Sequence, residues 1–274
     1  MELSEQDKKT QQEAIKYIES HSEELIDRFI VNKRPLPLGV LTFFMAGSPG
    51  AGKTEFSRRY MPAAIDKNNR KIANSFRKMG IDINKVDTLF VRIDVDEIRE
   101  FMPQYVKTNA QTCSIGNAHI VQKAATKGLD ILRKYCFKND ISFLHDGTFG
   151  NYNTMRDLIK KSLRSGREVE IFYIYLDPLE AWKLTEAREF VEGRNIIKDK
   201  FVDQFFASRE NVDKIKQEFG NKVKLNCIIK DKENKVEEIR LNVDNVDKFI
   251  KKYYNKKSIP DYTREGLLRL ISSV

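Results

Sequence analysis

This sequence of 274 residues has little of what marks several protein classes. It contains no run of 18 apolar residues able to span a bilayer, and its longest apolar stretch, Gly39–Gly47, suits a buried strand. The first residues, MELSEQDKKTQQEA, are polar and lack an apolar core, so no secretory signal and no membrane association are expected. Cysteine is scarce: Cys113, Cys136 and Cys227 are odd in number, far apart and without metal-ligand spacing. They read as reduced thiols of a cytoplasmic protein, which excludes a disulfide framework or a zinc site. His21, His119 and His145 form no ligand pair. Internal repeats, low-complexity tracts and Pro/Gly/Ser linkers are also lacking. What is present is a globular core: 17 Phe and 10 Tyr exclude intrinsic disorder.

The charge is one-sided, with 49 Lys and Arg against 40 Asp and Glu, a net +9. A basic chain can attract nucleic acid, a phosphorylated small molecule or an acidic protein. Much of the excess is lysine in the carboxyl-terminal third, in KDKENK and KKYYNKK, where a solvated surface is the simpler account. No aromatic RNP-type motif or zinc knuckle supports nucleic acid.

Apolar strand patterns recur at Gly39–Ala46, Thr88–Ile93, Ile141–His145, Glu168–Leu176 and Val223–Ile229. Helical patterns lie between them at Asn117–Phe137, Thr154–Ser165, Leu179–Phe190 and Lys198–Phe219, and a basic helical segment covers Asp66–Met79. Apolar strands alternating with helices predict a three-layer α/β domain around a mostly parallel sheet. Residues 5–33 read as one amphipathic helical segment, ended by Arg34-Pro35-Leu36-Pro37. Val236–Leu241 is a possible sixth strand, followed by helices over Val246–Tyr254 and Thr263–Ser273. The expected organisation is an amino-terminal helical segment (1–37), an α/β domain (38–230) and an extension packed on the same domain (231–274).

Gly47-Ser48-Pro49-Gly50-Ala51-Gly52-Lys53-Thr54 matches G-x-x-x-x-G-K-[ST] in full, between an apolar strand and a helical EFSRRYM. Such a loop wraps phosphates with its backbone N–H groups, its lysine reaches the β/γ-phosphates and its hydroxyl residue ligates Mg²⁺. A glycine-rich turn alone would leave the Gly-Lys-Thr ending unexplained. The chain is therefore expected to bind a nucleoside triphosphate, ATP or GTP, with Mg²⁺. The N-K-x-D signature of GTPases is missing.

The second strand ends in Asp94-Val95-Asp96-Glu97, and carboxylates at such a strand end can accept a substrate proton or hold Mg²⁺. Asp94 reads equally well as the cap of the following helix. The third strand ends in His145-Asp146-Gly147-Thr148, where Asp146 and Thr148 are candidate contacts for a substrate or for Mg²⁺-bound water. Arg188 and Arg194 follow the fourth strand, and arginine suits a bidentate role on a transferring phosphoryl group.

In order and spacing, GSPGAGKT, IDVDEIR followed by Met102-Pro103, DGT, GRNI and FASRENV make the chain resemble the zeta toxin family of P-loop kinases over about Gly39–Gly220. The resemblance implies phosphorylation of UDP-N-acetylglucosamine at the sugar 3′-hydroxyl with ATP or GTP and Mg²⁺, by a toxin restrained by a small helical antitoxin. It also implies roles for particular residues. Lys53 and Thr54 would serve phosphate and Mg²⁺, Asp96 would be the catalytic base, and Arg188 and Arg194 would neutralise the transferring phosphoryl group. Two other readings stay open: a polynucleotide or RNA-end kinase, which the +9 charge motivates, and a non-catalytic nucleotide sensor.

Overall fold

A computed structural model describes residues 3–33, 40–59, 90–107, 116–192, 197–257 and 261–273. Within them lie ten α-helices and six strands. They are α1 (Glu5–Ser20), α2 (Ser22–Phe29), β1 (Leu41–Ala46), α3 (Lys53–Arg59), β2 (Val91–Asp94), α4 (Val95–Arg99), α5 (Gln122–Lys138) and β3 (Phe143–Asp146). After these come α6 (Tyr152–Arg164), β4 (Glu168–Tyr175), α7 (Pro178–Glu192), α8 (Lys198–Phe219), β5 (Val223–Lys230), β6 (Val236–Arg240), α9 (Val246–Lys257) and α10 (Arg264–Ser272). The fold is three-layer α/β, with a mixed, mostly parallel sheet of strand order β2-β3-β1-β4-β5-β6. The helix expected over Asp66–Met79, together with Cys113, lies outside the described residues.

The chain divides into two compact units, each assembled from separated segments. One comprises 1–40, 58–145 and 188–194; the other comprises 41–57, 146–187 and 195–274.

In the first unit, α1 starts on a capping box. The Ser4 hydroxyl accepts from the Asp7 N–H at 3.1 Å, and the Asp7 carboxylate accepts from the Ser4 N–H at 3.2 Å. Together they satisfy two amides that the helix itself cannot. The expected single helix over 5–33 is two helices, broken at His21. The cause is local competition for the last carbonyls. Ser20 Oγ donates to Lys16 O at 3.0 Å, and the His21 ring stacks on Tyr17 with its Nδ1 2.9 Å from Tyr17 O. The apolar spacing runs on through the break, so periodicity alone does not reveal it. Ala14, Ile18, Leu25 and Phe29 are buried, and both helices pack on α5. The close approach centres on Gly128 of α5. A Cβ there would sit 2.8 Å from Ile98 and 3.4 Å from both Ile18 and Leu25.

The second unit is built on three parallel strands. β1 pairs with β4 from Leu41↔Glu168 to Ala46↔Tyr173, and β4 pairs with β5 from Val169↔Val223 to Tyr175↔Ile229. β4 is buried over all but its first residue, as expected of an interior parallel strand. Phe43 and Phe56 both pack against Phe172, while α8 buries Phe201, Phe205, Val212 and Ile215. The possible sixth strand is present: β6 runs antiparallel to β5 along its other edge. A buried polar pair inside this sheet is satisfied, Asn226 donating to Glu170 at 2.6 Å.

The packing at Gly128 gives a test. Gly128→Leu should destabilise the protein by about 1–3 kcal/mol through overpacking. The measure is urea unfolding monitored by far-ultraviolet circular dichroism, and an unchanged midpoint would contradict the packing described.

Candidate phosphate-binding site

The loop Gly47–Thr54 leaves the carboxyl end of β1 and enters α3. Its three glycines have positive φ: +134° at Gly47, +74° at Gly50 and +74° at Gly52. Space forbids a side chain as firmly as the backbone angle does. A Cβ at Gly47 would strike Ile174 O, one at Gly50 would strike Ala181 O, and one at Gly52 would strike the Lys230 ammonium. The loop is thus closely seated on β4, α7 and the end of β5, all within the second unit.

Lys53 Nζ donates to Ser48 O at 2.7 Å and to Gly47 O at 3.2 Å, so its ammonium curls over the loop's own carbonyls. The Thr54 hydroxyl donates to Asp146 Oδ2 at 3.2 Å. Asp146 is buried, and its unit also holds Thr148, whose carbonyl accepts from the Gly47 N–H at 3.3 Å. Hence Gly47–Thr54, Asp146 and Thr148 form one group. The hydroxyl and carboxylate of Thr54 and Asp146 are hard oxygen donors, which suit Mg²⁺ completed by phosphate oxygens and water. Among the described residues no group of three or more His, Cys, Asp or Glu is placed to hold a metal by itself.

The segment after Asp146 carries a backbone irregularity that the sequence does not announce. Phe149 has φ +65°, rare for a bulky residue, while its ring packs edge-on against Phe44. Asn211 of α8 holds it there, donating to Phe149 O at 3.0 Å.

Asp94, Asp96 and Arg188 belong to the first unit. Asp94 caps α4, its Oδ1 accepting from the Asp96 N–H at 2.9 Å, and Arg92 pairs with its other oxygen at 2.8 Å. Asp96 Oδ1 takes a 2.6 Å ion pair from Arg99, which also bonds Gln122. Glu97 is paired with Arg92 and, at 3.2 Å, with Arg58. Every carboxylate of this strand end therefore has an arginine. Arg188 is exposed on α7, and Arg194 lies outside the described residues.

His145, next to Asp146, is buried in the first unit with its ring against the Arg133 guanidinium, Nδ1 at 2.9 Å. Burial and the neighbouring cation hold its pKa well below the usual histidine range, so the ring is neutral. Burial also lowers the pKa of Arg133, to about 10.

Two site features escape a reading of motifs. Asn211 is one; Lys230 is the other, its ammonium 3.3 Å from Gly52 O and its side chain 0% exposed. The available signal for Lys230 was a lysine closing the otherwise apolar strand end Cys227-Ile228-Ile229-Lys230.

A full phosphate loop after β1 of a mostly parallel sheet defines a protein of the P-loop fold. The model of the family described as Zeta toxin matches residues 82–244, more than half of the sequence. The chain belongs to the zeta toxin family, a family of P-loop, kinase-like phosphotransferases. The matched span begins after the phosphate loop and includes Asp96, Asp146, Thr148, Arg188 and Arg194. No curated protein matches the sequence.

Solved structures show the same fold at low identity. One comes from the PezAT chromosomal toxin-antitoxin system of Streptococcus pneumoniae: 15% identity, TM-score 0.55, covering 87% of this chain and 82% of that one. Two others are of AvrRxo1-ORF1:AvrRxo1-ORF2. The structure with sulphate ions has 14% identity and TM-score 0.56, and the structure with ATP has 13% and 0.55. Each of the two covers 93% of this chain and 73% of the other. Among the described residues no helix is long and apolar enough to cross a membrane.

The seating of the loop makes a prediction. Gly50→Ala forces a non-glycine residue to φ +74° against Ala181 O. It should cost about 1–3 kcal/mol, concentrated in the loop. Hydrogen exchange of the loop amides should rise, and nucleotide affinity measured by calorimetry should fall. A variant with wild-type exchange and affinity would contradict the conformation described.

Proposed function

We propose that this protein is a nucleoside-triphosphate-dependent kinase that transfers a γ-phosphoryl group to a hydroxyl of a small molecule. The observation that carries the reading is the loop Gly47–Thr54, with glycines at positive φ, Lys53 folded over it and Thr54 bonded to Asp146. Such a loop presents backbone N–H groups to phosphates, and its cost is paid in advance by packing rather than at the moment of reaction. Membership of the zeta toxin family supports the chemistry, and a structural neighbour solved with ATP supports the nucleotide.

In this reading the acceptor oxygen attacks the γ-phosphorus, the bond from that phosphorus to the bridging oxygen breaks, and the nucleoside diphosphate departs. Lys53 balances charge on the β- and γ-phosphates. Thr54 and Asp146 would hold Mg²⁺, which supplies further neutralisation of the triphosphate when bound. Asp96, assigned by its place in the family motif, takes the acceptor proton; Arg99 keeps that carboxylate paired. Arg188 and Arg194 are assigned to the transferring phosphoryl group on the same motif grounds, and Thr148 to the acceptor.

The family resemblance makes UDP-N-acetylglucosamine the proposed acceptor, and a toxin held by an antitoxin protein the proposed biological setting. Neighbours described as a toxin-antitoxin system and as a two-component ORF1:ORF2 pair support a protein partner. The deciding experiment is incubation with γ-labelled ATP, Mg²⁺ and a panel of UDP-sugars, nucleic-acid ends and amino acids. Label in the UDP-sugar supports the reading in full. Label in nucleic-acid ends would transfer the site to a polynucleotide kinase, and ATP binding without any labelled product would leave a sensor.

Two substitutions probe the roles. Lys53→Ala should abolish phosphorylation and any toxicity with thermal unfolding unchanged, because the loss falls where charge moves in the transition state. Turnover like that of the wild type would remove Lys53 from the reaction. Asp96→Asn should keep nucleotide affinity within a few-fold while turnover drops about 10²–10⁴-fold, the usual contribution of a positioned general base. If Asp94→Asn causes the larger loss instead, the base is Asp94.

A further inference from the structure

Lys230 ends β5, and its side chain is 0% exposed. Lysine is rarely buried so fully, because taking an ammonium out of water is costly unless it is paired. Here the pairing is complete. An ammonium has three N–H donors, and three oxygens accept from it: Asn234 Oδ1 at 2.9 Å, Gly52 O at 3.3 Å and Glu55 Oε2 at 3.5 Å. The same Glu55 oxygen accepts from Asn234 Nδ2 at 3.1 Å, closing a ring of three side chains.

The ring is held from both ends. Asn234 occupies the turn between β5 and β6 at φ +62°, with its N–H donating to Asp231 O at 3.0 Å. Asp231 Oδ1 in turn accepts from the Glu233 and Lys235 N–H groups, each at 2.9 Å. Glu55 lies two residues after Lys53 on α3. The Lys230 ammonium takes the space that a side chain at position 52 would fill. The turn therefore delivers a cation, its side chain 0% exposed, to the back of the phosphate loop.

Burial lowers the pKa of this lysine, and Glu55 opposes the shift. The ammonium is bound to the Gly52 carbonyl and buried, so it is not a group placed to fold onto a phosphate. Its influence on a ligand runs through the loop backbone and through space. In a low-dielectric setting a charge acts over several ångströms with much more force than at the surface.

We propose that Lys230, set by Asn234 and tuned by Glu55, is a positioning residue of the phosphate loop that raises its affinity for a polyphosphate. The inference rests on the reading of Gly47–Thr54 as a triphosphate site and assigns the loop a second cation that no motif contains. It explains why a charged turn, Asp231–Asn234, sits at the end of an apolar strand. It also ties the conformation of Gly52 to the β5–β6 connection.

The two partners of the ion pair should act in opposite directions. Lys230→Met removes the charge and should weaken binding of inorganic tripolyphosphate and of ATP by about tenfold. Glu55→Gln keeps the shape and removes the opposing charge, and should tighten tripolyphosphate binding by a few-fold. Calorimetric titration of the full chain gives the constants, and thermal unfolding without ligand gives stability.

A structural role alone would lower the melting temperature of Lys230→Met and leave its tripolyphosphate constant, and that of Glu55→Gln, unchanged; that result overturns the proposal. If Lys230→Met does not fold, the sign of the Glu55→Gln effect decides, with weaker or equal binding counting against it. A wild-type protein that binds no tripolyphosphate or ATP would overturn the phosphate-loop reading itself. Binding by the wild type with no opposite-signed response overturns the Lys230 inference only.

Discussion

The phosphate loop depends on space more than on any single bond. Gly47, Gly50 and Gly52 hold positive φ, and at each of them the direction of a side chain is already occupied by Ile174 O, Ala181 O or the Lys230 ammonium. Glycine tolerates such angles without steric cost, but it also gives up the most freedom on folding. The loop can afford that loss because β4, α7 and the end of β5 surround it. Parallel pairing of β1 with β4 and of β4 with β5 sets those walls in register, and the aromatic packing of Phe43, Phe56 and Phe172 fixes the strand against α3. The positions of Lys53 and Thr54 follow from this backbone.

Charge in the two units is handled by one rule, that a carboxylate or ammonium removed from water is given specific partners. In the second unit Asp146 meets Thr54, Glu170 meets Asn226, and Lys230 meets Glu55, Asn234 and Gly52. In the first, Asp94, Asp96 and Glu97 each meet an arginine. The pairing orients these groups and limits their rotamers, which a site that moves protons or binds anions requires. Breaking one partner of a buried pair costs more than the pair itself contributes.

Family membership and the phosphate loop are separate lines of support. The zeta toxin match runs over residues 82–244, while the loop lies before it and is recognised by its own sequence and geometry. The matched segment contains the candidate carboxylates and arginines; the loop contains the backbone amides proposed to hold phosphate. The kinase reading draws on both.

The sequence by itself determined the architecture and the anion-binding element. Strands interior to a parallel sheet are buried on both faces, so β1, β4 and β5 show as apolar runs, and α8 shows over Lys198–Phe219 with its own bounds. The loop was legible because its chemistry demands glycines and Lys-Thr at fixed, contiguous spacing. The helix break at His21 was hidden, since it arises from Ser20 and His21 competing for carbonyls while the apolar period continues. Only the tertiary structure decided which distant residues complete the site. Asn211 reaches Phe149, Asp146 reaches Thr54, and Lys230 reaches Gly52. These partners are separated by 62, 92 and 178 positions, no local periodicity links them, and they meet only once β1, β4 and β5 are paired within the second unit.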